Sequence, residues 1–359
     1  MSKAAELAAL IGSQTALSNR NLIINGAMNV AQRGTSSTTS GLETVDRFFN
    51  TFGTAAVTQT QDSTVPSGEG FSHSYKQECT TASSATGAFF GISYHVEAQD
   101  IRNSGWDYTS SNSSVTLSFY ARSSVAGTYM ASLRTDDGTA YNIASQYTLE
   151  ANTWKRVILT FPGNSNLTIN NDTGLGLKVF PMLELGSDYT AGSSFDAWAA
   201  HSGSAQSPDA NILFHDTANA TFFITGVQME IGEQATAFEH RSFGDELARC
   251  QRYYHKIDAA NSFSTFGTAA LSTAAVSTIY PLAGFNLRAV PTLESSGVST
   301  FLLQCNNANE AVSSLAINGH ASKQVPICTC NHDSSTAGFA GSLIANNNAS
   351  AYIAFSSEL

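Results

Sequence analysis

SVTLSFYARSS (114–124) and, two residues on, GTYMASLRTDDGTAYNIASQYTL (127–149) are the stretches on which the fold turns. Val115, Leu117, Phe119 and Ala121 alternate with Thr116, Ser118, Tyr120 and Arg122. A period of two sends the two sets to opposite faces of a strand, one buried and one wet. The second segment breaks at Asp137-Gly138, a pair that supplies the positive φ angles of a tight hairpin, so it reads as two more strands. Further strands follow at TWKRVILTF (153–161), GLGLKVFPML (174–183) and ATFFITGVQMEI (220–231), separated by Asn, Gly and Ser. Many short strands with turn punctuation and no intervening helices describe an antiparallel sandwich or barrel.

The whole composition agrees. The chain has 359 residues, 42% hydrophobic and 10% aromatic, with only 13% charged. That is long enough for two domains with real cores, and its Ser, Thr, Asn and Gly favour strands and turns. A net charge of −11 argues against nucleic acid, whose partners carry a basic face. Five cysteines (Cys79, Cys250, Cys305, Cys328, Cys330) are an odd number without small-domain spacing, so reduced thiols are expected rather than a disulfide framework. No apolar run suits a signal-peptide core or a membrane span, and production as a soluble protein inside a cell, without membrane insertion, is expected. The Asn-x-Ser/Thr sequons at Asn112, Asn166, Asn171, Asn219 and Asn348 are what this composition yields by chance.

Two helices are expected. AAELAALI (4–11) places Leu7, Leu10 and Ile11 on one face with Gly12 as a stop. A helix so short is marginal alone, so these three residues are candidates for docking against a partner. The second helix lies in FFITGVQMEIGEQATAFEHRSFGDELARCQRYY (222–254). There Phe223, Thr225, Val227, Met229 and Ile231 read as one face of a closing strand, with Gln228 and Glu230 on the other. Ser242 with Asp245 then resembles a capping box, and Leu247, Cys250 and Tyr254 mark a helical stripe. The charges here read as the solvated faces of a helix and a connector. Strand-like runs resume at 273–287, 300–304, 324–330 and 349–357. The expected layout is a segment 1–20, a sandwich over 21–245, and a linker helix with a smaller β-sandwich domain over 246–359.

With those segments placed, the sequence resembles bacteriophage tail-fibre and related virion proteins. The resemblance rests on NLIINGAMNVAQRGTS (21–36), TVDRFF (44–49), VEAQDIRNSGWDYTSSNSSVTLSFYARSSVAGTY (96–129), ANTWKRVILTFPG (151–163), NDTGLGLKVF (171–180) and the 222–254 segment, in that order. It implies a jelly-roll β-sandwich carried on the virion in a homotrimer, contacting other virion proteins and the host surface. The role implied first is a tail fibre or receptor-binding subunit. A head fibre or capsid-decoration protein is the alternative, and a glycan-degrading tail spike the second. The same region is similar to jelly-roll carbohydrate-binding modules, in which a first strand of the NLL-NG type pairs with the last strand near a structural calcium. Met28, Asn29, Thr225 and Gly226 stand where that resemblance would put acidic ligands, so the oxygens calcium requires are missing and no cofactor is expected.

Candidate sites follow from residue chemistry. Sugar rings stack on aromatic faces flanked by polar groups, which singles out Trp106, Tyr108, Tyr189 and Trp198. NNANE (306–310) and NHDSSTAGFAG (331–341) are polar loops flanked by strand-like runs, making Asn306, Asn307, Asn309, Asn331, His332 and Asp333 receptor-loop candidates for host polysaccharide. Cys328, Cys330 and His332 alternate, so a strand aligns them on one face as a weak metal candidate lacking a fourth ligand. No nucleophile-elbow, zincin, P-loop or Cys-x-x-Cys pattern occurs. Glu97, Asp100 and Asp107 are the only carboxylates singled out for glycosidase chemistry, and a non-enzymatic role is expected.

Overall fold

The structure is a computed structural model that describes residues 20–191, 194–209, 214–305, 308–333 and 337–359. Contacts divide the chain into two compact units, one running to Glu246 and including Leu359, the other spanning Leu247–Glu358. Leu7, Leu10 and Ile11 lie outside the described residues. No described helix is long and apolar enough to cross a membrane.

The larger unit is a sandwich of two six-stranded antiparallel sheets. Its strands are β1 (Ser36–Ser37), β2 (Phe48–Gly53), β3 (Ala56–Asp62), β4 (Ser74–Thr81), β5 (Phe89–Glu97), β6 (Ser114–Ser123), β7 (Gly127–Thr135), β8 (Tyr141–Leu149), β9 (Lys155–Pro162), β10 (Leu175–Leu185), β11 (Ala199–Ala200) and β12 (Thr221–Ile231). A short helix, α1 (Ala98–Arg102), follows β5. One sheet has the order β1-β3-β4-β12-β6-β9 and the other β11-β8-β7-β10-β5-β2. Hydrophobic residues that alternate along these strands meet between the sheets, where Phe48, Phe90, Phe119, Tyr129, Phe161 and Phe222 are fully buried. Buried phenols keep partners: Tyr129 donates to Val125 O at 2.7 Å and Tyr147 to Pro181 O at 2.9 Å.

Strand β12 departs from the simple alternation. Phe222 and Ile224 enter the core together with Val227 and Met229, while Phe223 lies outside against Trp154 and Arg122. The cause is a bulge: the register with β6 shifts between Thr225 and Gln228, and Gly226 takes φ +64°. An inserted residue flips the parity of everything beyond it, which a strict period of two cannot show. Likewise β7 and β8 are joined by a loop of several residues rather than a two-residue turn. Gly138 takes φ +63° as expected, but Asp137 instead accepts hydrogen bonds from Asn170.

Residues 22–26 are bound along the last sandwich strand. Leu22 N donates to Met229 O at 3.0 Å and Val227 N to Gly26 O at 2.9 Å. A Cβ on Gly26 would sit 2.0 Å from Val227 O, so the two backbones touch where no side chain fits. Four charged residues of 230–246, Glu230, Glu239, Arg241 and Glu246, fasten this crossing and are not merely solvated. Arg241 donates to the carbonyls of Asn21 (2.9 Å) and Ile23 (3.2 Å). Glu239 accepts Asn21 N at 3.0 Å, Glu246 accepts Asn25 N at 2.5 Å, and Glu230 pairs with Arg20 at 3.1 Å. Ser242 caps α2 (Phe243–Gln251) as its position suggests, its Oγ accepting Asp245 N at 3.2 Å. Tyr254 falls beyond the helix, in the next strand.

The smaller unit satisfies the same alternation by closing a sheet on itself. Its strands are β13 (Tyr254–Asp258), β14 (Thr265–Leu271), β15 (Val276–Pro281), β16 (Thr292–Ser295), β17 (Phe301–Cys305), β18 (Ala308–Ile317), β19 (Cys328–His332), β20 (Ala340–Ala345) and β21 (Tyr352–Ser356). β14-β15-β19-β18-β17-β20 form a closed barrel, and β13-β21-β16 a separate three-stranded sheet. A barrel and a small sandwich share one strand pattern, inward apolar and outward polar, so the sequence does not separate them.

Cys328, Cys330 and His332 do share one face, and that face is the barrel interior. His332 spends both ring nitrogens, one with Ser277 Oγ at 3.0 Å and one with Asp333 O at 2.6 Å. Among the described residues no three His, Cys, Asp or Glu side chains converge as a metal site. Burial pushes the Cys328 thiol up to about 12 and Cys330 to about 11, so both behave as small hydrophobes.

Two outcomes follow. Gly26→Ala must push Val227's backbone aside and is expected to cost about 2–4 kcal/mol, lowering the sandwich's Tm by roughly 5–10 °C; a melting curve within 1 °C or so of wild type would refute the crossing. All five thiols are buried, so a thiol reagent at pH 8 should modify none in the native protein and all five in guanidinium; fast native labelling of Cys328 or Cys330 would contradict the barrel interior.

Candidate functional site

The sheet β11-β8-β7-β10-β5-β2 has an outer face that does not meet the core, and a groove of about 310 Å3 runs over it. Its floor comes from alternate residues: Phe49 and Thr51 of β2, Gly91, Ser93 and His95 of β5, Ser132 and Arg134 of β7, Lys178, Phe180 and Leu183 of β10. These are the positions between the core residues Phe48, Ile92, Tyr94, Leu133 and Val179, so the pleat that fills the sandwich also furnishes the groove. The stretch after β10 supplies a wall with Tyr189, His201 and Gln206. That wall is tied down by its backbone: Gln206 N donates to Tyr189 O and His201 N to Ala140 O, each at 2.8 Å.

The groove has an aromatic part and a polar part. Phe49 lies stacked on the His95 ring, centroids 4.0 Å apart, and Phe89 meets Tyr189 edge to face at 6.2 Å. Phe180 adds a third ring from the floor. Burial, and beyond it the charges of Lys178, Arg47 and Arg134, hold the His95 imidazole down at about 3. His95 is therefore uncharged at neutral pH, and its stack with Phe49 is an apolar surface.

The polar part is a row across four strands. Pairing sets Asn142 of β8 opposite Arg134 of β7, Arg134 opposite Lys178 of β10, and Lys178 opposite His95 of β5. Side chains in register on one face are neighbours, so one line of residues crosses the sheet. Asp136 reaches in from the rim, 2.9 Å from Arg134 Nη2 and 3.7 Å from Lys178 Nζ. Burial and then the Arg134 charge lower the Lys178 ammonium from its ordinary value. His201 is also lowered, by burial first.

Of the aromatic candidates from the sequence, Tyr189 lies at this groove. Trp106 and Tyr108 are buried in the sandwich core, 4% and 9% exposed, with Trp106 Nε1 donating to Ser113 O at 3.3 Å. Their polar neighbours in sequence are loop hydrogen bonds rather than a binding surface: Asp107 accepts Thr109 Oγ1 at 2.9 Å. Trp198 is half-buried against the core and donates to Pro162 O at 2.7 Å. Glu97 is fully buried and accepts from Gln99 at 2.6 Å. Asn309 and Asn331 belong to strands β18 and β19 rather than to loops, and His332 points into the barrel, leaving Asp333 exposed beside it. Asn306 and Asn307 lie outside the described residues. The groove residues Phe49, Phe89, His95 and Phe180 were passed over because each occupies the polar phase of a strand, and the signal available was an aromatic in that phase on three strands of one sheet.

A second recess, about 210 Å3, lies on the opposite sheet among Phe71, Tyr120, Phe238, His240 and Arg156. Its rings fill one another, with Phe71 5.1 Å from Phe238 and 5.5 Å from Tyr120. Its polar tips are also engaged: Tyr120 donates to Glu69 at 2.7 Å and Arg156 to the Thr236 carbonyl.

No protein-family model matches the sequence, and no curated protein matches it. Solved structures similar to part of the chain include the enzymatically active domain of tailspike protein 4 of bacteriophage CBA120, at 13% identity and TM-score 0.31, over 59% of this chain and 22% of that one. The chain thus spans about a fifth of that tailspike's length. A putative sugar-binding protein from Bacteroides thetaiotaomicron is similar at 11% identity and TM-score 0.32, over 59% of this chain and 100% of its own. A family 61 carbohydrate-binding module in complex with β-1,4-galactotriose is similar at 11% identity and TM-score 0.28, over 60% of this chain and 100% of that one.

Proposed function

We propose that the chain is a non-enzymatic glycan-binding protein of a bacteriophage particle, gripping host-surface polysaccharide in the groove of its sandwich. The observation that carries the binding reading is the groove itself. It is open along the sheet, of a size that takes a few sugar units, and floored by rings with a line of donors and acceptors beside them. Pyranose rings present flat C–H faces and hydroxyl edges, and such a floor meets both. The particle setting rests on the resemblance of residues 21–254 to tail-fibre proteins. In this reading the chain is a homotrimer, residues 1–20 attach it through Leu7, Leu10 and Ile11, and the sandwich faces outward.

The groove and the trimer are tested separately. On an array of bacterial surface polysaccharides, Tyr189→Ala and Phe49→Ala should each weaken binding about tenfold, the loss of one stacking contact of roughly 1.4 kcal/mol, with unchanged melting. Binding that survives both changes but is lost on removing residues 250–359 would move the receptor site to the barrel. Native mass measurement should give three 37.9 kDa chains at micromolar concentration and below; a monomer throughout would end the trimeric reading.

A further inference from the structure

The polar end of the groove holds more hydrogen-bonding capacity than the protein itself uses. Asn142 is 2% exposed, and its Nδ2 donates to Gln206 O at 2.8 Å. Its Oδ1 is buried with no protein partner, and the amide cannot be turned over without setting oxygen against oxygen. Arg134 Nε and His201 Nδ1 are likewise buried without a protein partner, and all three residues line the groove. Buried polar atoms are nearly always satisfied, so three at one end of one groove mark where a polar group from outside belongs. Charge narrows that group. Arg134 and Lys178 carry two positive charges and Asp136 one negative charge, and Lys178 stands 3.7 Å from that carboxylate, beyond ordinary hydrogen-bond length, while the Leu359 oxygen at the far end of the row is engaged by His95 Nδ1 at 3.0 Å. This leaves a positive point in a chain of net charge −11.

From this we infer that the groove binds an acidic glycan, seating the carboxylate of a uronate or sialate unit against Arg134 and Lys178 while a hydroxyl of the same unit donates to Asn142 Oδ1. The inference rests on the glycan reading above and gives it a substrate class. A neutral sugar offers the hydroxyl but nothing to the two cations. A bare sulfate ion offers the charge but no donor for the amide oxygen. A sugar acid carries both on one ring, and the aromatic floor beside the row accepts the next unit along.

The test uses the full chain and immobilised oligosaccharides of galacturonate, glucuronate and sialate type, each beside its carboxyl-reduced counterpart. At least one acidic member should bind about tenfold more tightly than its reduced form, and the margin should shrink as salt rises from 50 to 500 mM. Lys178→Gln should erase the margin between the acidic and the reduced form. Asn142→Leu, which removes the acceptor, should weaken the acidic ligand in wild-type-like folded protein as judged by its melting curve. Equal binding of acidic and reduced forms, abolished by Phe49→Ala, would overturn the acid subsite while leaving the groove as a neutral-glycan site. Binding to none of the oligosaccharides would overturn the subsite, and a blank on the polysaccharide array as well would overturn the glycan reading too. Because the carboxyl-reduced comparison requires no variant, a misfolded Asn142→Leu protein does not remove the test.

Discussion

The sandwich depends on a backbone contact that leaves no room for a side chain: Gly26 against the carbonyl of Val227. That contact exists because β12 carries a bulge at Gly226, which turns the strand so that Val227 N can reach Gly26 O. The bulge also decides which half of β12's side chains enter the core. Around this point the sequence concentrates its few charges. Arg241, Glu239, Glu246, Glu230 and Arg20 serve backbone groups or one another at the same seam. Exposed ion pairs contribute little, but the side chains of Arg241 and Glu230 are only 5% and 4% exposed. Removing one member of such a set strands the others without water. The seam is therefore cooperative, and it is the answer to why a weakly charged chain gathers charge between 230 and 246.

The groove inherits its rigidity from the same sheet packing. Nearly every floor residue sits between two buried residues of its own strand, so its direction is fixed by burial that has nothing to do with a ligand. The neutral His95 illustrates the coupling. Its ring is held low in pKa by the burial that positions it, and that loss of charge lets it act as a flat apolar surface under Phe49. Lys178 stands opposite His95 on the next strand, and Arg134 opposite Lys178 on the strand beyond.

The all-β class was legible because alternation over SVTLSFYARSS and its neighbours is a local property: Val115, Leu117, Phe119 and Ala121 are all buried, although Thr116 and Ser118, expected on a wet face, are buried as well, Thr116 donating to Gly232 O at 2.7 Å. The capping Ser242 was legible for the same reason. What sequence could not give was parity after a bulge, which placed Phe222 and Ile224 inward where Phe223 was expected, and the choice between sandwich and barrel for the C-terminal unit. Sites were less legible still. Trp106 and Tyr108 have the right chemistry for sugar but are spent as core. Tyr189, singled out as an aromatic in a loop, lies at the groove. The cross-strand row of Asn142, Arg134 and Lys178 involves three residues up to 44 positions apart, whose adjacency only the register reveals.

Strand β12 sits between β4 and β6, so the last sandwich strand to be made is an inner one. While the chain is being synthesised, β4 and β6 have no partner on that side until Thr221–Ile231 emerges, and each presents a row of open amide and carbonyl groups meanwhile. Closure then demands contacts across about two hundred residues, such as Leu22 with Met229. Loop-closure entropy makes such contacts slow to form. The sandwich therefore cannot close before β12 arrives, and the two edges that wait for it carry charge on their outward faces: Lys76 of β4 and Arg122 of β6, which end up over the Phe223 ring of the incoming strand, are the kind of side chain that discourages pairing with a second chain.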